Sequence, residues 1–250
     1  MRPLIEIPAA DGTAEAVVAR PDADGSYPGV LLCMDAIGLR QQIETMADRI
    51  ASWGYVVLAP NTFYRSGTAA QTTPTADLRD PAERKAYGPI SMGYLAELTT
   101  ERIEADLPHY LAALRALPGV ADGPVGVTGY CMGARVATIA AGIDQGVAAA
   151  AGFHGARVAV DAPDSPHLRL SGARADFVYG HADNDGANPP EDVARLDDAL
   201  AEHGLSARTA VYPDAPHGFT MADTSSYQEA GAERHFDELR ELFARTLGVR

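Results

Sequence analysis

Apolar positions recur along the chain in two alternating rhythms. Short, nearly continuous apolar runs at residues 29–34, 55–59, 125–128, 147–153 and 175–179 predict central strands covered on both faces, and 207–212 closes the series. Between them apolar residues return at helical spacing: Ile43, Met46, Ala47 and Ile50; Leu107, Leu111 and Leu114; Val193, Leu196 and Leu200; Phe236, Leu239, Phe243 and Leu247. Gly54 is a natural left-handed cap for the first of these helices, and Gly204 marks the end of the third. Residues 4–8 and 14–19 predict a leading pair of strands, with turn chemistry at Asp11-Gly12.

Strands alternating with helices predict an α/β fold, a mostly parallel central sheet with helices on both faces. At 250 residues the simplest reading is one domain over 1–250. Residues 61–93 break the rhythm, with Asn61-Thr62-Phe63-Tyr64-Arg65 leading into a polar stretch that holds Pro74, Asp77, Arg79, Asp80, Glu83, Arg84 and Lys85. So long an irregular connection inside a compact domain points to function. It is read as an insertion that shapes a pocket with Phe63, Tyr64, Tyr87 and Tyr94, and the helical pattern resumes near Leu95, with Pro108 as a kink or a second start.

Charge and cysteine content narrow the classes. With 34 acidic against 20 basic residues the net charge is −14, which argues against a nucleic-acid or anionic-membrane surface. No apolar run approaches the ~20 residues needed to cross a bilayer, and the first residues show no apolar h-region, so no signal peptide is expected. Two cysteines, Cys33 and Cys131, are too few for a disulfide framework, and a reducing, cytoplasmic compartment is expected. No cofactor and no metal are expected. The partner is a small molecule, and the protein a monomer or small homo-oligomer.

Candidate chemistry gathers where strands end. Gly129-Tyr130-Cys131-Met132-Gly133 follows the run at 125–128 and opens an Ala-rich helix, the strand–turn–helix setting of a nucleophile elbow with cysteine as nucleophile. The glycines permit strand and helix to pass closely, and a helix N-terminus favours a thiolate. In such a sheet ligands bind beyond the carboxyl ends of the strands, where Asp35, Cys131, His154, Asp183 and His217 fall. A cysteine nucleophile needs a base, and the base a third group to orient it. His217 follows the last strand. His109, His203 and His235 fall on helices and His167 in a loop, all four expected at the solvated surface, whereas His154 and His181 sit at strand ends and are candidates to line the pocket. The order Cys131, Asp183, His217 is the nucleophile–acid–histidine order of the α/β-hydrolase fold, with Asp185 the runner-up for the acid and Asp176 at the wrong end of its strand.

On these residues the sequence resembles the dienelactone hydrolase family, cysteine-dependent members of the α/β-hydrolase superfamily. Gly129 to Gly133, Gly180-x-x-Asp183 and His217-Gly218-Phe219 carry the resemblance, together with Asp35-Ala36-Ile37-Gly38 and Gly54-Tyr55-Val56-Val57-Leu58-Ala59-Pro60. The resemblance implies a cofactor-free hydrolase of a small lactone, ester or thioester. Cys131 would attack the carbonyl, His217 oriented by Asp183 would move the proton, and the N–H groups of Met132 and of Ala36 or Ile37 would hold the oxyanion. Two departures stand out. The family's founding members have a glutamate that manages the resting thiol where this chain has Asp35. They also have an arginine for the substrate carboxylate where it has Met221, leaving Arg40, Arg65, Arg79 or Arg84 to replace it. A carbon–carbon hydrolase or acyl transferase on the same fold, and a non-catalytic or redox-sensing protein, are the alternatives. Cys33, mid-strand, is a poor resolving thiol for the last.

Overall fold

The computed structural model describes residues 2–248. Eight strands are present: β1 (Ile5–Ala9), β2 (Gly12–Ala19), β3 (Gly29–Cys33), β4 (Val56–Pro60), β5 (Val125–Tyr130), β6 (Val147–Phe153), β7 (Asp176–His181) and β8 (Ala207–Val211). They form one sheet in the order β1-β2-β4-β3-β5-β6-β7-β8. β1 pairs antiparallel with β2 and β2 with β4, and every other pairing is parallel.

The residues explain the layering. β3, β4 and β5 are buried along their whole length, so both faces must be covered. Helices α1 (Gln41–Ala51) and α7 (Glu229–Leu247) cover one face; α4 (Thr100–Ala116), α5 (Met132–Ile143) and α6 (Pro190–Glu202) cover the other. Trp53 and Phe236 meet edge to face at 5.9 Å and join the first layer where α1 ends. Register aligns the strand ends: Cys33 lies opposite Gly129, Tyr130 opposite Phe153, Phe153 opposite Gly180, and His181 opposite Val211. The residues that follow therefore emerge along one rim.

Three sequence expectations are corrected. Residues 61–93 are not irregular throughout, for they contain α2 (Ala69–Thr72) and most of α3 (Pro81–Glu97). Asp80 caps α3 by accepting from the Ala82 N–H at 2.8 Å, and Pro81 is preset for a first helical turn. Pro108 lies inside α4 and starts no new helix. His235, expected in solvent, is fully buried, its ring 4.7 Å from Phe153 and 5.6 Å from Tyr130. Burial pulls its pKa down to about 3, so it is neutral in the core. No helix among the described residues is long and apolar enough to cross a membrane.

Glycines sort by what surrounds them. A Cβ on Gly129 would overlap the Gly133 carbonyl, and one on Gly133 the carbonyls of Cys33 and Met34, whereas Gly93 in α3 has open space. Thermal unfolding is expected to show Gly133→Ala destabilised by about 3 kcal/mol or more, since backbone cannot yield as a side chain does. Gly93→Ala is expected to gain ~0.5–1 kcal/mol from the helix interior it occupies.

Candidate active site

Cys131 stands between β5 and α5 with φ 53° and ψ −116°, a conformation that costs a non-glycine residue energy. Its surroundings impose it. The Cys131 N–H donates to the Phe153 carbonyl at 3.1 Å, and the Cys131 carbonyl accepts from the N–H groups of Ala134 and Ala156, each at 3.2 Å. Met132 is the first residue of α5, so its N–H has no partner within the helix.

His217 reaches Cys131 from the loop after β8. Its Nε2 lies 3.1 Å from Sγ, and its Nδ1 lies 2.6 Å from an oxygen of Asp185. The carboxylate that meets His217 is thus Asp185 and not the expected Asp183. Asp183 holds the neighbouring loop instead, accepting from the Asp214 N–H at 3.0 Å while its own N–H donates to Ala215 at 2.7 Å. Between the two aspartates Asn184 takes φ 51°, which turns the chain so that the Asp185 side chain, 4% exposed, points back at His217. The other Asp185 oxygen accepts from the Ala187 N–H at 2.9 Å. Burial lowers the His217 pKa, but negative charge at Cys131 and the Asp185 carboxylate outweigh it and push it up to about 10.

His154 lines the same cavity, as expected. It is fully buried with φ 38°, its Nε2 lies 2.8 Å from the Thr220 hydroxyl, and its ring meets that of His217 edge to face at 5.3 Å. Burial and the neighbouring His217 charge hold its pKa well below the usual range, so it stays neutral. His181 is buried too, but its Nδ1 pairs with Asn188 and it does not reach the cavity wall.

Several other assignments change. Asp35 lines the cavity, yet Arg40 grips both its oxygens at 2.5 and 3.1 Å. Arg40 also binds Asp223 and the Gly38 carbonyl and reaches the Met221 sulfur, so its donors are committed and it is no receptor for a substrate carboxylate. The Ile37 N–H donates to Asp35 at 3.2 Å, so that amide is already engaged. Phe63, Tyr64 and Arg65 do not line the cavity. Phe63 packs on Tyr94 at 5.3 Å, while the Tyr64 hydroxyl and the Arg65 guanidinium both bind Asp106 of α4. The chain reverses directly after β4, where Asn61 accepts from the Phe63 N–H, and so these side chains brace the β1–β2 edge.

The cavity measures about 810 Å³ and opens onto Cys131, His154 and His217. Leu78 and Val160, absent from the sequence reading, line it too, and so does the inner face of α3, where Arg84 and Tyr87 of the expected pocket-shaping insertion lie. The one signal of that face was the spacing Pro81, Arg84, Gly88, Ser91, Leu95, which is helical but not apolar and so did not register as a face.

Sheet order, elbow and strand-end residues are those of an α/β hydrolase. Residues 14–247 match the model of the dienelactone hydrolase family, and the chain belongs to that family, as a carboxylic ester hydrolase. It is 26% identical over 245 residues to the "Putative carboxymethylenebutenolidase" of Salmonella typhi, covering 96% of this chain and 86% of that one. A protein of the same name from Synechocystis is 26% identical over 247 residues, covering 96% and 95%. Among solved structures, the "Putative Dienelactone Hydrolase" of Klebsiella pneumoniae superposes with a TM-score of 0.82 at 24% identity, over 97% of this chain and 98% of that one, and so shares the fold.

The two aspartates are separable by experiment. Asp185→Asn is expected to lower kcat on the order of a thousandfold, because an amide no longer holds the imidazole in the right tautomer. Asp183→Asn is expected to keep kcat within about threefold and to lower the melting temperature, as a loop hydrogen bond worth ~1 kcal/mol is weakened.

Proposed function

We propose that the protein hydrolyses a lactone, ester or thioester through a thioester acyl-enzyme, with Cys131 as nucleophile and His217, oriented by Asp185, as proton carrier. The observation that carries this reading is the unbroken line from Asp185 through His217 to Cys131, ending in a cavity. Sulfur bonds to the substrate carbonyl carbon with the thiol's proton already on His217. The tetrahedral oxyanion is held by the Met132 and Ala36 amides, a kind of contact typically worth ~3–4 kcal/mol for one donor. The imidazolium then protonates the leaving oxygen as the carbon–oxygen bond breaks. In the second half water adds to the thioester, its proton going to His217, and the thiol departs with the free acid.

The raised His217 pKa suits the first half, in which a protonated imidazole faces the leaving group. The redox alternative lacks a partner thiol: Cys33 is fully buried in β3, and burial pushes its pKa up, away from reactivity.

Cys131→Ala is expected to remove turnover of p-nitrophenyl acetate, a loss on the order of a thousandfold or more. Intact-mass spectra of acid-quenched wild type should show one acyl adduct, absent from Cys131→Ala. Equal turnover by the two proteins would sink the assignment. Because His217 keeps its proton below a pKa of about 10 and loses it above, kcat/KM should fall on the alkaline side near that value. In Asp185→Asn the limb should move to lower pH.

A further inference from the structure

The inner face of α3 borders the cavity over most of its length, with Leu95 at its end packed against the core. Pro81, Arg84, Gly88, Ser91 and Leu95 follow one another at helical spacing and all line the cavity, with Met92 beside them. None of the 17 residues of α3 is buried. Helices in proteins gain most of their stability by burying a face, and here most of that face meets open space. The rest of the wall supplies Ile37, Leu78, Val160 and Met221, so the space is bounded largely by hydrocarbon. At the centre of the helical stripe stands Gly88, with nothing within 4 Å of the place a Cβ would take. A slot is left open under the helix. Met92, 62% exposed, carries the apolar wall outward.

We propose that this slot receives the acyl chain of the substrate, so that the enzyme selects esters or lactones with an extended apolar acyl portion over those with a short one. The inference rests on the cysteine-hydrolase reading, since the chain reaches the slot from a carbonyl carbon bonded to Cys131. The cavity volume of about 810 Å³ is far larger than an acetyl group needs and lies in the range that encloses a drug-sized ligand. Charge supports a neutral tail. The wall carboxylates Asp35 and Asp192 are paired with Arg40 and Arg195; of the cations, Arg84 is half-buried on the inner face of α3, while Lys85 and Arg157 are exposed to solvent at the rim. A chain buried in the slot meets no unpaired carboxylate. The rival occupant is a chain that ends in its own carboxylate and draws on the rim cations.

The test compares p-nitrophenyl acetate, butyrate, hexanoate and octanoate with the p-nitrophenyl half-ester of octanedioic acid, all below their micelle-forming concentrations. In wild type kcat/KM is expected to rise about two- to fourfold per methylene through the series, as each buried methylene adds its transfer free energy. The half-ester is expected to be turned over more slowly than octanoate. Gly88→Leu fills the slot and should lower the octanoate-to-acetate ratio at least tenfold. Met92→Gln, at an exposed position that leaves the fold intact, should lower it several-fold. A ratio that falls from acetate onward, a ratio unchanged in both variants, or a half-ester faster than octanoate each overturns the inference while the cysteine hydrolase stands. No turnover at any length, with no adduct on Cys131, overturns the hydrolase reading and this inference with it.

Discussion

The contact on which the site depends is the approach of α5 to the end of β3 at Gly133. Without a side chain there, the helix begins directly beneath the carbonyls of Cys33 and Met34. That closeness brings the N-terminus of α5 beside the end of β3. It also leaves the chain no relaxed route from β5 into the helix, and Cys131 must take a positive φ. The strain is held by hydrogen bonds from three directions, to Phe153 at the end of β6, Ala134 in α5 and Ala156 in the loop after β6. A strained nucleophile persists because its surroundings over-determine it.

A second set of contacts ties the loops around this turn. Arg40, 5% exposed, links Asp35 in the β3 loop to Asp223 beyond His217 and touches Met221 on the way. Thr220, in the same loop, holds His154 at the end of β6. A buried guanidinium is costly to desolvate unless its donors are all met, and here the carboxylates, a carbonyl and a sulfur meet them. Its role follows from that satisfaction. Arg40 is a strut between the two loops that flank the nucleophile, and its grip keeps Asp35 from turning toward the thiol. In a chain of net charge −14, the carboxylate that does reach the machinery is Asp185, and it does so through His217.

Much of this was legible in the sequence because it is local. Parallel strands must be apolar on both faces, so β3 to β7 stand out as runs, and the elbow needs small residues at fixed offsets from Cys131. His217 was legible through chain order. The choice between Asp183 and Asp185 was not, since both sit in one loop and the decision lies in the backbone at Asn184 and in the reach of a distant histidine. Phe63, Tyr64 and Arg65 misled for a related reason: residues after a strand end point to the site unless a partner elsewhere claims them, and Asp106, on α4, does. His235 was misread because a single imidazole interrupts an otherwise apolar stripe and finds its nitrogen partners, Ala232 and Tyr130, within the core.

α3 escaped the sequence for a different physical reason, and it is the informative one. A helical face is recognised by the hydrocarbon it buries against protein. This face borders a cavity, so Gly88, Ser91 and Met92 leave no apolar stripe in the sequence. The division of labour follows. The groups that do chemistry are carried by the ends of buried strands and by the first turn of a buried helix, where a shift of an ångström would break several hydrogen bonds at once. The side chains of α3 that line the cavity lie on a helix with no buried residue, where a change of side chain costs the fold little. Substitution in this one surface helix would reshape the cavity with the sheet and the elbow left unchanged.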